Sequence, residues 1–154
     1  MRGKRGRQAI AGPATEFIRD GDDILAIIIR SHLDEPGLHF PTPKEYNLQV
    51  GVHIRPAGEV IAAHVHKSIA EPVDLPIQEF LYVERGRLRV DLFDREEELF
   101  STVEVGAGDS ILLLMGHKIE LLEDTKIIEV KQGPYQTRGK DKRPLKGMAD
   151  DTSL

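Results

Sequence analysis

The sequence predicts an all-β domain, a sandwich or barrel of short strands. Two observations carry that expectation. Apolar stretches of strand length are separated by turn residues about every 8–12 positions along most of the chain. Several of these stretches also alternate apolar and polar residues with period two, the mark of a strand with one face buried.

The elements follow in order. "TEFIRDGDD" has room for one helical turn. "DDILAIIIRS" reads as a strand and "EPGLHFPTPKEY" as a Pro-rich loop. In "NLQVGVHIRPAGE", Leu48, Val50, Val52 and Ile54 fall on one face, before Pro56 and Gly58 turn the chain. "VIAAHVH" is the next strand, "QEFLYVERGRLRVDLFD" reads as a hairpin turning near Arg85-Gly86, and "FSTVEV" is another strand. "GAGDSILLLMGHKIELLEDTKIIEVKQG" supplies three more, broken at Met115-Gly116 and at Glu123-Asp124-Thr125. Roughly eight or nine strands and little helix are expected.

Composition bounds the function. A chain of 154 residues suits one domain. Residues 1–13 read as a flexible basic arm, 14–136 as the β domain and 137–154 as a mobile charged tail. A net charge of −5 argues against a nucleic-acid partner held by phosphate neutralisation. With no cysteine, disulfides, thiolate nucleophiles and zinc–thiolate sites are excluded, so any metal must be held by His, Asp and Glu. No stretch approaches the roughly 18 apolar residues of a membrane helix, and the N-terminus lacks the apolar region of a secretory signal. A cytoplasmic protein without a membrane or nucleic-acid partner is expected.

The stretch "AAHVHKSIAEPVDLPIQEFLYVERGRL" holds His64, His66 and Glu79. On a strand the two histidines share a face about 6.5–7 Å apart, close enough to converge on one ion. Glu79 opens the next strand and can bring a carboxylate beside them. Such an N,N,O set suits iron, manganese, nickel, copper or zinc. The same residues can also be an exposed histidine pair on a sheet face and a solvated carboxylate.

Gly58, five residues, His64-Val65-His66, then Glu79, six residues and Gly86 resemble the first motif of the cupin superfamily, and "GAGDSILLLMGHKIEL" resembles the second. The spacing departs in one place, since twelve residues separate His66 from Glu79 where the motif has three or four. In the second motif Leu114 stands where proline is usual, and His117 directly follows Gly116. A bulge at Met115-Gly116 would set the face that His117 presents. More narrowly, "GHKIE" followed by "EVKQGPY" is similar to small single-domain cupins of bacterial carbohydrate and polysaccharide gene neighbourhoods, described as metal-binding proteins of unsettled activity.

The resemblance implies a cupin-type double-stranded β-helix, a jelly-roll barrel. It implies one divalent ion (Fe, Mn, Ni, Zn or Cu) held by His64, His66, Glu79 and His117, the last by similarity alone. It also implies a homodimer and a small-molecule substrate such as a sugar derivative. Arg55, His53 and Tyr82 are candidates for contacting that substrate, with Lys131 and Gln132 at the pocket rim. Asp109 is expected to hold its own turn by accepting backbone N–H bonds, and "REEELF" to be a solvated acidic tip. Metal-dependent isomerase or epimerase, dioxygenase and hydrolase chemistries stay open. So do a non-catalytic metal- or sugar-binding module and a metal-free structural or assembly barrel.

Overall fold

The computed structural model describes residues 12–64, 66, 76–133 and 143–147. The basic arm up to residue 11, Val65, and the loop between His66 and Pro76 lie outside the described residues. So does most of the tail. The described residues contain no helix and ten strands, all paired antiparallel. These are β1 (Thr15–Asp20), β2 (Asp23–Ile29), β3 (Gly37–His39), β4 (Val52–Ile54), β5 (Glu79–Arg85), β6 (Arg87–Phe93), β7 (Leu99–Gly106), β8 (Ser110–Leu113), β9 (His117–Leu121) and β10 (Lys126–Lys131). They form a five-stranded sheet of order β1-β2-β8-β5-β10, a three-stranded sheet β7-β6-β9 and a two-stranded sheet β3-β4.

One core joins the two larger sheets. Leu25, Ile28, Leu81, Val83, Ile111 and Leu113 from the first pack with Leu88, Val90, Leu92 and Val105 from the second. The first sheet is covered on its other face as well, where Ile24, Ile27 and Leu112 meet Tyr46, Leu48, Val50 and Phe80. Burial on both faces explains why "ILAIII" is a continuous apolar run rather than an alternation. The strand also carries an irregularity. The β1–β2 register slips where Ile18 faces Ala26 and Arg19 faces Ile24, leaving Leu25 as the extra residue. That bulge shifts the parity of β2, so Leu25 and Ala26 both join the inter-sheet core.

Five expectations are corrected. "TEFIRDGDD" forms β1 and the tight turn into β2 rather than a helical turn, with Gly21 at φ 56°. The Pro-rich loop contains the short strand β3. The strand expected from Leu48 to Arg55 is confined to Val52–Ile54. Upstream of it, side chains satisfy the backbone in place of a ladder: Leu48 N–H donates to Gln78 Oε1 (2.9 Å) and Val50 N–H to Thr42 Oγ1 (3.1 Å).

The fourth correction concerns Gly86. β5 and β6 are consecutive but do not pair, because β5 lies between β8 and β10 while β6 lies between β7 and β9. The segment is therefore a corner passing from one sheet to the other, not a hairpin. Gly86 makes the corner at φ 88°, and a Cβ there would stand 2.4 Å from Thr125 Oγ1 and 2.7 Å from the Asp124 carbonyl oxygen.

The predicted strand "VIAAHVH" is not formed over residues 60–64. A strand needs a neighbour for its N–H and C=O groups, and no described segment supplies one. Val60 and Ile61 are left exposed.

Candidate functional site

Both sheets contribute to one end of the core. Along β5, Glu79, Leu81 and Val83 alternate as the buried residues, which puts the Glu79 carboxylate on the inner face at the mouth of the core. Along β9, His117 and Ile119 alternate with the outward Lys118 and Glu120, and the register sets His117 opposite Leu92 of β6. His117 thus points inward from the opposite sheet. The backbone around Gly116 sets this direction, since the Gly116 carbonyl accepts the Phe93 N–H at 2.8 Å just before β9 begins.

The two side chains meet, with His117 Nε2 lying 3.5 Å from Glu79 Oε2. The other ring nitrogen, Nδ1, is 2.9 Å from the Met115 carbonyl oxygen. A carbonyl only accepts, so Nδ1 carries the proton and Nε2 of the neutral ring presents a lone pair. Nε2 and the carboxylate oxygen thus lie at a separation that either a shared metal ion or a second ring proton can bridge. Two donors bound at about 2.1 Å to one tetrahedral ion stand about 3.4 Å apart. The observed separation fits that geometry, and a backbone carbonyl holding the far nitrogen is the usual outer support of a metal-ligating histidine.

A pocket of about 850 Å³ opens around this pair. Ile77, Leu114, Met115 and Leu145 give it apolar wall, and Lys131 lines it beside Glu79, its register partner across β10 and β5. Lys131 Nζ lies 3.3 Å from Glu129 Oε1. Asp94, Arg95, Glu97 and Arg143 complete the rim.

The other expected ligands lie apart from this pair. His64 and His66 are exposed, their ring centroids 4.9 Å apart and their planes edge to face. His64 Nδ1 is 2.8 Å from the Ala62 carbonyl oxygen, so its Nε2 is also left as the lone-pair nitrogen. Among the described residues, no three His, Cys, Asp or Glu side chains are grouped so as to hold a metal. The structure thus brings together one pair, Glu79 with His117, and separately another, His64 with His66.

Arg55, His53 and Tyr82 lie outside the lining of this pocket. Arg55 pairs with Glu59 four residues on, and its Nε donates to His53 Nδ1 at 3.2 Å. Tyr82 has the opposite parity to Glu79 on β5 and so faces away from the inner mouth. Gln132, expected at the rim, also lies outside this lining, its Oε1 accepting the Gln78 N–H at 2.9 Å. Asp109 holds its turn as expected, its two oxygens accepting from Ser31 N–H (2.9 Å) and Gly106 N–H (3.0 Å).

Three residues that sequence reasoning missed line the pocket. Glu97, taken for part of a solvated tip, turns its carboxylate towards residues 143–147. There it meets the Arg143 guanidinium and accepts the Lys146 N–H at 2.6 Å. The Arg143 hydrogen bond, then the Lys146 amide, hold its carboxyl well below the usual range, at about 2. Arg143 and Leu145 come from a charged tail with no apolar periodicity, and no local signal marks such residues as pocket wall.

No protein-family model matches the chain, and neither does any curated protein or solved structure.

Proposed function

We propose that this protein is a metal-binding cupin in which Glu79 and His117 are two ligands of one divalent ion, and that it acts on a small molecule in the adjoining pocket. The observation carrying the proposal is the 3.5 Å approach of His117 Nε2 to Glu79 Oε2, with Nδ1 committed to the Met115 carbonyl. Support for the fold comes from two antiparallel sheets sharing one core, with the chain crossing between them at Gly86. A double-stranded β-helix requires crossings of that kind.

His64 and His66 are the proposed remaining ligands. They carry the donor chemistry the site needs, and the first of them already has its Nδ1 proton held by a backbone carbonyl. A divalent ion supplies Lewis acidity towards a carbonyl or hydroxyl, or lowers the pKa of a bound water. The chain's own residues would do the rest. Lys131 offers a positive charge to an anionic group on the ligand, while Ile77, Leu114 and Met115 exclude water from its apolar flank. At about 850 Å³ the pocket suits a small molecule, and the family resemblance points to a sugar derivative. Isomerase or epimerase and dioxygenase chemistry are both compatible with this set.

The same contact favours a second reading, a protonated His117 paired with Glu79 in a metal-free barrel. A crystal soaked in manganese or zinc and measured at the metal edge separates the two. An anomalous peak within bonding distance of Glu79 Oε2 and His117 Nε2 is the expected result. A pocket without that peak, at full occupancy of both side chains, favours the ion pair.

A further inference from the structure

Glu97 is the one described residue other than glycine with positive φ, at 69°. It ends the β6–β7 turn, in which Asp94 accepts the Glu97 N–H at 3.2 Å on its carbonyl and the Glu98 N–H at 2.9 Å on its Oδ1. Glycine or asparagine is the ordinary occupant of such a position, and a strained backbone there calls for a use of the side chain. The carboxylate has such a use. It takes the Arg143 guanidinium on one oxygen and the Lys146 N–H on the other.

Between those two anchors sits Leu145. Its Cδ2 lies 3.1 Å from the point a Cβ on Gly116 would occupy, so it rests on bare backbone directly before His117. Leu145 and Arg143 both line the pocket that contains Glu79 and His117. Pro144 stiffens the link between them, its carbonyl accepting from Arg143 Nη1 at 3.2 Å.

We propose that residues 143–147 form a latch across the mouth of the Glu79–His117 pocket, with Glu97 as its catch and Leu145 as its plug. Among the described residues Glu97 provides two anchors to it, and a short strap held through one side chain opens far below the cost of global unfolding. Access of a small molecule to His117 is therefore gated by residues 143–147. The inference takes the pocket as the functional site, but its test does not depend on a metal.

The test is carbethoxylation of chelator-treated, full-length protein by diethyl pyrocarbonate. The rate at His117 is read by mass spectrometry against that at His53, an exposed histidine outside the pocket. Two variants release the latch in different ways. Glu97→Gly removes the catch while easing the turn, and Leu145→Asp removes the plug. Each is expected to raise the His117 rate several-fold, with the His53 rate and the circular dichroism unchanged. A His117 rate that stays at the wild-type value in either folded variant overturns the latch. Should Leu145→Asp lose the fold, Leu145→Ala takes its place with the same two outcomes. Because the metal is stripped beforehand, a failure here leaves the metal proposal standing, and a failure of metal binding leaves the latch standing.

Discussion

At the scale of single residues, the Asp109 carboxylate joins three parts of the chain. It accepts the Ser31 and Gly106 amides and receives Arg30 Nη1 at 3.1 Å, while Arg30 Nε donates to Glu16 at 2.6 Å. Burial alone would raise its pKa, but the two amides and the guanidinium outweigh that and leave it below the usual aspartate value. Its stabilising contribution is therefore present above the unfolded-state pKa near 3.9 and is lost as pH falls through the lower folded-state value. Asp109→Asn should cost about 1–3 kcal/mol at neutral pH, and urea titrations should show a shallower loss of stability below about pH 4 than in the wild type. Gly86 gives the second residue-scale expectation. With φ at 88° and Thr125 Oγ1 at 2.4 Å from an added Cβ, Gly86→Ala combines strain with a clash. Its urea midpoint should fall by the equivalent of about 2 kcal/mol or more. Asp109 was legible in the sequence, because an aspartate after Gly108 has an obvious turn role. Glu97 was not, since an acidic run discloses neither a positive φ nor a partner 46 residues away.

At the scale of elements, the sequence made the strands legible and their partners illegible. Period-two alternation in "FLYVERGRLRV" reports which residues share a face, and Leu81, Val83, Leu88 and Val90 are indeed buried. It does not report the neighbouring strand, so a corner between sheets looked like a hairpin. Similarly, "VIAAHVH" has the pattern of a strand, but residues 60–64 have no pairing partner among the described residues, and Val60 is exposed. β9 and β10 each end a sheet, so either edge could receive it. If His64 and His66 join Glu79 and His117 on one ion, this segment must become ordered when metal is added. Amide exchange of residues 60–64 should then slow by a factor of ten or so on adding one equivalent of zinc or nickel, a change of about 1.4 kcal/mol in local opening. Unaltered exchange at these amides, with metal bound, would remove the two histidines from the ligand set.

At the scale of the whole molecule, a site shared between two sheets makes binding and folding interdependent. Glu79 comes from the five-stranded sheet and His117 from the three-stranded one, so an ion held between them would tie the sheets at their open end. Ligand binding to the native state alone raises its stability by RT ln(1 + L/Kd) at free ligand concentration L, so the thermal midpoint should go on rising with metal concentration even after the site is filled. The homodimer that the family resemblance implies would need an apolar face, and Ile77, Ile128 and Val130, on and beside the terminal strand β10, are exposed. Light scattering after size exclusion should give twice the chain mass of 17.2 kDa, and a single-chain mass at micromolar concentration would end that proposal. The most direct measurement is a calorimetric titration of stripped, tag-free protein with zinc, manganese, nickel and iron(II), alongside Glu79→Gln and His117→Ala. One equivalent should bind to the wild type, with the affinity reduced by at least about tenfold in each variant. A wild type that binds none of these ions, or variants that bind as well as it does, would contradict a metal held between Glu79 and His117.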